Sequence, residues 1–255
     1  MAASPGSGPT LPGPCGARSP SRRSPIPVNL PRRPLHGRRK GRPLRGGLRQ
    51  LMDREMERCT LFLPSGDARF DPAACFPGQT DEIWLEIGFG GGEHLAWQAA
   101  QNPSVGIVGA EIFLNGVAKA LRQLKAEGSE NVLIHTGDAR DLLDCLAPGS
   151  LSRAFILFPD PWPKARHNKR RIVQPESLDR LAEALRPEAE LRLGTDDADY
   201  AAWMLACLDR HPAFVWPVRS AADWRRRPPD WPPTRYEQKA LAAGRAPVFM
   251  IWRRR

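Results

Sequence analysis

The stretch Ile83-Trp84-Leu85-Glu86-Ile87-Gly88-Phe89-Gly90-Gly91-Gly92-Glu93 decides the fold class of this chain. An apolar run leads into a carboxylate, glycines follow at alternate positions, and a helix-like segment extends from His94 to Ala100. This order predicts a strand, a tight turn and a helix, which together open a nucleotide-binding α/β fold. Residues 88–92 are called the glycine turn below.

The glycine turn predicts a ligand that approaches the backbone closely. Gly88 and Gly90 permit positive φ and leave room for the ligand, and Gly92 allows tight packing. Glu86 narrows the class of ligand, because its carboxylate repels a pyrophosphate, and a dinucleotide-binding turn needs a further glycine where Glu93 stands. S-adenosylmethionine has no phosphate and carries an ammonium and a sulfonium group, so the pattern favours it over NAD. A turn without a ligand is the alternative.

The composition bounds the rest of the chain. Its 255 residues, 41% of them apolar, predict one large domain or one domain with a tail. The net charge of +10 is uneven, because the first 50 residues contain ten arginines, Lys40 and no acidic residue, whereas the remainder contains 27 basic and 28 acidic residues. No apolar run approaches the roughly 20 residues of a membrane span, so we expect no membrane partner.

Cysteine and histidine spacing argues against a metal site. The five cysteines form no C-x-x-C pair, and the five histidines form no H-E-x-x-H motif. Scattered cysteines indicate reduced thiols rather than disulfides. We therefore predict a cytoplasmic protein without a metal.

The beginning of the chain predicts a basic extension. Residues 1–34 are rich in Pro, Gly, Ser and Arg and predict a disordered tail, while residues 35–255 predict the folded domain. The tail is either an arm that binds polyanions or an extension without function. The denser basic segment at 36–49 and the predicted helix Leu48–Cys59 follow, and this segment favours nucleic-acid contact over a merely solvated charge run.

Beyond the glycine turn, strand and helix patterns alternate, as in a doubly wound sheet. The predicted strands are 83–87, 106–111, 131–135, 153–158, 190–194, 214–216 and 248–252, and the predicted helices are 94–100, 114–127, 139–146, 175–185 and 198–209. We expect a mostly parallel, seven-stranded α/β sheet of the Rossmann-like type. Its last strand is expected to be antiparallel and to lie at or near the sheet edge.

Carboxylates follow four of the predicted strands, at Glu111, Asp138, Asp160 and Asp196. Ligands of open α/β sheets bind outside the carboxyl ends of the strands, so these groups are candidates for one crevice. Glu111 stands about 20 residues after the glycine turn, where a ribose-binding acid belongs. Asp138 is expected near the adenine, and it is equally placed to cap the following helix.

The segment Phe158-Pro159-Asp160-Pro161-Trp162-Pro163-Lys164 is the second strong signal. Its prolines fix the backbone on both sides of Asp160. Trp162 offers a stacking face beside a basic run, a combination that predicts nucleic-acid binding, with a Pro-rich turn beside a solvated basic face as the alternative. The run comprises Lys164, Arg166, His167, Lys169, Arg170 and Arg171. A long polar and aromatic loop over 223–239 is also expected to be functional.

With these motifs and the Thr234-Arg235-Tyr236-Glu237 sequence in this order, the chain resembles the bacterial tRNA (guanine-N7-)-methyltransferases over roughly Leu35 to Trp252. The resemblance implies the class I methyltransferase fold, S-adenosylmethionine as cofactor and Asp160 as the active-site aspartate. It implies cofactor contacts from Glu86, Gly88, Gly90, Gly92, Glu111, Asp138 and Asp160. It implies substrate contacts from Lys164, Asp196, Thr234, Arg235, Tyr236 and Glu237. The Pro/Arg-rich start and the Trp- and Pro-rich approach to Thr234 depart from the family pattern.

The activity implied by the resemblance is methyl transfer to N7 of a guanine in the tRNA variable loop. The expected partner is tRNA, with no obligatory protein partner, and the chain is expected to act as a monomer or homodimer. Two alternatives stay open. Another S-adenosylmethionine-dependent RNA or small-molecule methyltransferase would explain the glycine turn but not the basic run, and a non-catalytic RNA-binding protein would not explain the four carboxylates.

Overall fold

The computed structural model describes residues 34–78 and 80–255. The predicted disorder of the tail therefore lies outside the described residues, except at Pro34. Within the described ranges, no helix is both long enough and apolar enough to cross a membrane.

A seven-stranded sheet forms the centre of the fold. The strands are β1 (Glu82–Ile87), β2 (Val105–Ala110), β3 (Val132–His135), β4 (Leu151–Leu157), β5 (Leu185–Thr195), β6 (Phe214–Val215) and β7 (Val248–Arg254). They lie in the order β3-β2-β1-β4-β5-β7-β6. The pairs β1–β2, β1–β4, β2–β3 and β4–β5 are parallel, and β7 is antiparallel to β5 and β6. The predicted fold class, with its antiparallel last strand near the edge, is confirmed.

Helices connect the strands in the predicted alternation. They are α1 (Gly46–Cys59), α2 (Glu93–Gln101), α3 (Leu114–Glu127), α4 (Ala139–Cys145), α5 (Pro175–Ala184), α6 (Ala198–Asp209), α7 (Ala222–Arg225) and α8 (Arg235–Ala242). Two 3₁₀ turns cover Pro72–Cys75 and Ala165–Arg170. The bounds of α3 and α6 agree with the sequence prediction.

Two regions differ from the sequence prediction. The fifth strand was expected at 190–194, but β5 begins at Leu185, which pairs with Leu151 before the register shifts. The loop expected over 223–239 contains α7 and the start of α8. Helix α8 begins where it does because the Thr234 hydroxyl accepts a hydrogen bond from the Glu237 backbone N–H at 3.1 Å, a capping interaction from a Thr-x-x-Glu sequence.

The core explains why the central strands read as continuous apolar runs. All six residues of β2 are buried, as are five of the six in β1. Leu85 and Ile87 of β1 face one apolar cluster, whereas Trp84 faces the other. Burial on both faces is typical of parallel strands covered by helices.

The topology brings the candidate groups to one edge. The parallel strands β1 to β5 all end at the same side of the sheet, where the glycine turn follows β1 and carboxylates follow β2 to β5. The chain passes from β3 across to β4, so β1 and β4 are neighbours at a switch point of the sheet order. Ligands of doubly wound sheets bind at such a point.

Candidate active site

A cavity of about 430 Å³ opens at this switch point. Its walls come from the glycine turn, the ends of β2, β3 and β4, the ring of Tyr236 and residues 35–38 before the first helix. The volume lies within the range of small-molecule sites, about 300–1,000 Å³.

The glycine turn forms the floor through Gly88 and Gly90. Gly88 has φ 74° and open space where a side chain would stand, so the turn leaves its backbone accessible. Gly92 serves a different purpose, because a β-carbon there would lie 2.3 Å from the β-carbon of Ala120. Gly92 therefore permits close packing of the turn against α3, as predicted, and does not line the cavity.

Glu111 is a half-buried carboxylate held by the backbone. Its two oxygens accept hydrogen bonds from the N–H groups of Gly90 and Phe113, each at 2.8 Å. Burial raises the pKa of Glu111 above its ordinary value, and the charge of Asp160 adds to this rise, while the two N–H groups lower the pKa. Glu111 thus ties the glycine turn to the end of β2 and presents a fixed acceptor to the cavity.

Asp138 caps a helix and also lies on the cavity wall. Its side chain accepts a hydrogen bond from Arg140 N at 2.9 Å and so caps α4. It also forms an ion pair with the Arg140 guanidinium at 2.5 Å and lines the cavity at the end of β3. The Arg140 side chain therefore balances the charge of Asp138.

The Phe158–Lys164 segment holds Asp160 at the mouth of the cavity. Phe158 and Trp162 have φ of 49° and 48°, a conformation that costs energy for residues with side chains. Among the described residues, the exposed Asp160 carboxylate has no hydrogen-bond or ion-pair partner. Strain on either side of a free carboxylate is typical of a functional segment.

Arg171 fixes the segment from beneath. Its Nε donates to the Pro161 carbonyl at 2.9 Å, its guanidinium pairs with Asp199, and it lies 4.9 Å from the ring centre of Tyr200 and 5.1 Å from that of Trp203. The side chain is only 1% exposed. Arg171 therefore differs from the rest of the basic run, because its guanidinium is buried and paired.

The other members of the basic run lie on or near the surface beside Trp162. Lys164, Arg166 and Lys169 are exposed, and the Arg170 guanidinium lies 5.0 Å from the Trp162 ring centre. Trp162 lines the cavity, so cations and an aromatic face meet at its mouth.

Tyr236 closes the cavity from the opposite side. It belongs to the first turn of α8, and a β-carbon at Gly90 would lie 3.4 Å from its ring. Burial raises the pKa of Tyr236, and the charges of Glu111 and Asp160 raise it further. The phenol is therefore neutral and lies close to both carboxylates.

Glu86 does not lie on the cavity wall. Its carboxylate is 3% exposed and is 2.8 Å from Nδ1 of His94, behind the glycine turn. The side chain points into the core, so the direct contact of this carboxylate with a cofactor ammonium stays a prediction.

The remaining expected substrate residues stand apart from the cavity lining. Thr234 and Glu237 are each 6% exposed, and Glu237 Oε1 accepts a hydrogen bond from Arg227 Nε at 3.1 Å. Asp196 is paired with Arg245 at 2.6 Å. Capping and ion pairing occupy these groups, whereas the side chains of Lys164 and Arg235 are exposed outside the cavity.

One wall was not anticipated from the sequence. Residues 34–42, here called the N-terminal strap, cross the start of α3, where the Leu114 N–H donates to the Arg39 carbonyl at 3.0 Å. Asn115 accepts from Gly41 N at 2.6 Å and donates to the Arg42 carbonyl at 2.7 Å. The strap and its hydrogen-bond partner Asn115 are more than 70 positions apart in the sequence, so no local pattern could have revealed that the strap reaches the cavity.

The groups that line the cavity suit S-adenosylmethionine. Glu111 and Asp160 provide negative charge without a balancing cation of their own, which suits a ligand with hydroxyl, ammonium and sulfonium groups and opposes a pyrophosphate. The accessible backbone at Gly88 provides the close approach. Within the described ranges, no three His, Cys, Asp or Glu side chains are placed to hold a metal ion.

Comparisons with known proteins agree with this geometry. A family model described as "Putative methyltransferase" matches residues 80–250. The tRNA (guanine-N(7)-)-methyltransferase of Rhodospirillum rubrum is 49% identical over 87% of this chain and 88% of its own length. Those of Paramagnetospirillum magneticum and Roseobacter denitrificans are 49% and 46% identical over 86% and 87% of this chain and 92% and 96% of their own lengths. The chain belongs to the family of the tRNA (guanine-N(7)-)-methyltransferases.

Proposed function

We propose that this protein transfers the methyl group of S-adenosylmethionine to N7 of a guanine in the tRNA variable loop. Family membership supports the reaction class. The observation that carries the proposal is the unpaired Asp160 carboxylate between the cavity of the glycine turn and the exposed basic face beside Trp162. A carboxylate in this position reaches both a cofactor in the cavity and a base that enters from the RNA side.

The chemistry requires alignment more than proton transfer. Bound S-adenosylmethionine supplies an electrophilic methyl group. Guanine N7 carries an in-plane lone pair and no proton, so it would accept this methyl group without losing a proton, with the neutral thioether as the leaving group, and the purine would take up the positive charge. No general base is needed, and the contribution of the protein is positioning and electrostatic stabilisation.

Asp160 is suited to that electrostatic contribution. Attack through N7 leaves the opposite edge of guanine free, where N1–H and the exocyclic amine are donors. A carboxylate accepts from both and stabilises the charge that develops on the purine. Glu111, Asp138 and the backbone of Gly88 and Gly90 then hold the cofactor.

Other predicted positions have supporting roles in this proposal. Glu86 acts from behind the glycine turn, and Thr234 and Glu237 fix the start of α8, which carries Tyr236 and the exposed Arg235 toward the RNA. Asp196 and Lys164 are not part of the cavity lining and would contact the tRNA outside it. Extraction of the guanine from tRNA tertiary structure costs about a few kcal/mol, which contacts with the basic face offset.

The proposal extends to the setting of the reaction. We infer that the reaction takes place in the cytoplasm, where tRNA is found, and that the protein acts without an obligatory protein partner. Sedimentation of the purified protein distinguishes the monomer from the homodimer.

Transfer of labelled methyl from S-adenosylmethionine to tRNA, followed by mass analysis of the nucleosides, tests the function. We expect 7-methylguanosine from the wild-type protein and a loss of at least about 100-fold in kcat for Asp160→Asn, because the variant keeps the shape and removes the charge. Asp67→Asn, which alters another exposed aspartate, serves as the control with unchanged turnover. Methylation of a different nucleoside, or of no RNA, would overturn the assignment, and near-normal turnover by Asp160→Asn would remove that residue from the mechanism.

A further inference from the structure

A chain of buried polar groups runs from behind the glycine turn to a distant loop. Glu86 Oε2 is 2.8 Å from Nδ1 of His94, and His94 Nε2 is 3.1 Å from Nε2 of Gln98. Gln98 Nε2 also donates to the Asp230 carbonyl at 2.9 Å, across 132 positions of sequence. Glu86, His94 and Gln98 are each 2% or 3% exposed, so water does not compete for these hydrogen bonds.

The direction of the hydrogen bonds follows from chemistry. Gln98 Oε1 accepts from Asn102 Nδ2 at 3.2 Å, which leaves the amide nitrogen of Gln98 facing His94. An amide nitrogen only donates, so His94 Nε2 is the acceptor, and the single proton of a neutral ring lies on Nδ1 and is donated to Glu86. If His94 carried a proton on Nε2 as well, that N–H would face the N–H of the Gln98 amide, and two donors would oppose each other. The chain thus has one consistent arrangement, with His94 neutral.

The far end of this chain anchors the loop that leads to Tyr236. Residues 226–234, here called the aromatic loop, place Trp231 at 1% exposure beside the rings of His94 and Phe155. The Asp230 carboxylate accepts from Arg192 Nη1 of β5 at 2.8 Å. Since α8 begins directly after the aromatic loop, the position of Tyr236 over Gly90 depends on these ties.

We propose that His94 and Gln98 are positioning residues that couple the cofactor cavity energetically to the tRNA-binding side through the aromatic loop. This inference rests on the proposed function. Glu86 is continuous with the glycine turn, and its buried carboxylate is paired with His94. A change at the turn is therefore passed to Gln98 and to the loop, and tRNA that contacts the loop side biases the turn in return. Thermodynamic linkage makes this effect reciprocal.

The coupling is measurable without turnover. The dissociation constant of S-adenosylhomocysteine is determined by calorimetry for the free protein and for the protein saturated with unmethylated tRNA. We expect tRNA to tighten this binding by about fivefold or more in the wild-type protein, the lower end of ordinary allosteric coupling. Gln98→Met keeps the length of the side chain and removes its hydrogen bonds to His94 and Asp230, together with the one from Asn102. In this variant we expect the ratio of the two constants to fall to about one.

A second glutamine provides a matched control. Gln123 Nε2 donates to the Gly91 carbonyl at 2.7 Å, so it supports the same turn from α3 without contacting the aromatic loop. Gln123→Met is expected to weaken S-adenosylhomocysteine binding in both states equally and to keep the ratio of the wild-type protein. Equal loss of the ratio in both variants would show that general loosening of the turn, and not the Gln98 link, is responsible, and would overturn the inference.

The remaining outcomes separate the two proposals. A wild-type protein that binds neither ligand contradicts the proposed function, whereas one that binds both without coupling, or a Gln98→Met variant that keeps the coupling, contradicts only the inference. If Gln98→Met does not fold, Asp230→Ala loosens the loop end of the chain instead, because it removes the ion pair with Arg192 and keeps the backbone carbonyl that accepts from Gln98. We expect a reduced ratio in Asp230→Ala, and an unchanged ratio there overturns the inference.

Discussion

Glu111 illustrates how a single side chain is arranged for binding at a cost to stability. Its carboxylate is partly removed from water, and this burial raises its pKa above the ordinary value of 4.5. The folded protein therefore binds this proton more tightly than the unfolded chain does, so the free energy of unfolding falls as the pH rises through this window. At neutral pH the ionised group opposes folding in full.

Removal of the Glu111 charge is therefore expected to raise the free energy of unfolding at neutral pH. Glu111→Gln is expected to raise the melting temperature at pH 7 and to weaken S-adenosylmethionine binding, because it removes the buried charge together with a strong acceptor. The gain in melting temperature should disappear below about pH 4.5, where the wild-type carboxyl is also neutral. Thermal unfolding at several pH values and calorimetry measure the two effects.

An exposed glutamate supplies the comparison for this experiment. Glu127 at the end of α3 is exposed, and Glu127→Gln should change neither the melting temperature nor cofactor affinity. A lower melting temperature for Glu111→Gln at pH 7 would show that the hydrogen bonds from Gly90 and Phe113 outweigh the cost of burial.

At this scale the sequence indicated which carboxylates follow the strands, but it did not indicate which of them face the cavity. Glu86 and Glu111 are both carboxylates at strand ends, yet Glu86 points into the core toward His94 whereas Glu111 borders the cavity. The direction of each side chain depends on the register of β1 and β2, which the sequence does not state. Thr234 and Glu237 carried a readable signal, since Thr-x-x-Glu at a helix start is a capping sequence.

At the scale of elements, the N-terminal strap joins a basic segment to the cofactor cavity. Leu35 to Arg38 line the cavity, and the strap is held by the backbone hydrogen bond from Leu114 to Arg39 and by both ends of the Asn115 amide. A segment with so few buried apolar groups depends on these bonds for its position.

Asn115→Ala is therefore expected to weaken S-adenosylmethionine binding several-fold although Asn115 does not line the cavity. The reason is that two strap hydrogen bonds, each with a net contribution of about 1 kcal/mol, are lost together. Equilibrium binding measures the effect, and proteolysis of the strap should become faster in parallel.

The control is an asparagine whose side chain donates to backbone carbonyls of the folded domain and does not contact the strap. Asn131 Nδ2 donates to the carbonyls of Ala99, Asn102 and Val105, away from the strap. Asn131→Ala should lower the melting temperature and leave cofactor affinity of the folded protein unchanged. Unaltered affinity in Asn115→Ala would show that the strap is a passive cover.

Element prediction succeeded where caps and hydrophobic period agreed. Helix α6 begins after Asp197, whose side chain accepts from Tyr200 N at 2.7 Å, and its bounds were predicted correctly. Helix α7 was missed because it is short and lies in a Pro- and Arg-rich region. The strap was missed as a cavity wall because its partners on α3 are distant in sequence, and only the folded topology brings them together.

At the scale of the whole molecule, alternation of apolar strands and amphipathic helices was enough to predict the doubly wound sheet. The placement of β7 between β5 and β6 was not predictable, because several strand orders satisfy the same pattern.

Charge distribution is a second property of the whole chain. Of the 38 basic residues, five arginines precede residue 34 without any acidic residue, and residues 34–255 hold the other 33 basic residues against 28 acidic ones.

The last prediction concerns this division of charge. Removal of residues 1–33 should reduce the slope of log affinity for tRNA against log salt concentration, since each phosphate contact that is lost removes roughly 0.7–0.9 from the slope. A version of the protein with these five arginines replaced by glutamine keeps the length and removes only the charge, so it should match the deletion. Affinity for S-adenosylhomocysteine without tRNA should stay unchanged in the deletion and in the glutamine version, because both retain the N-terminal strap that lines the cavity. An unchanged slope would mean that the tail makes no phosphate contact, and tRNA attraction would then rest on the exposed cations beside Trp162 and on the strap.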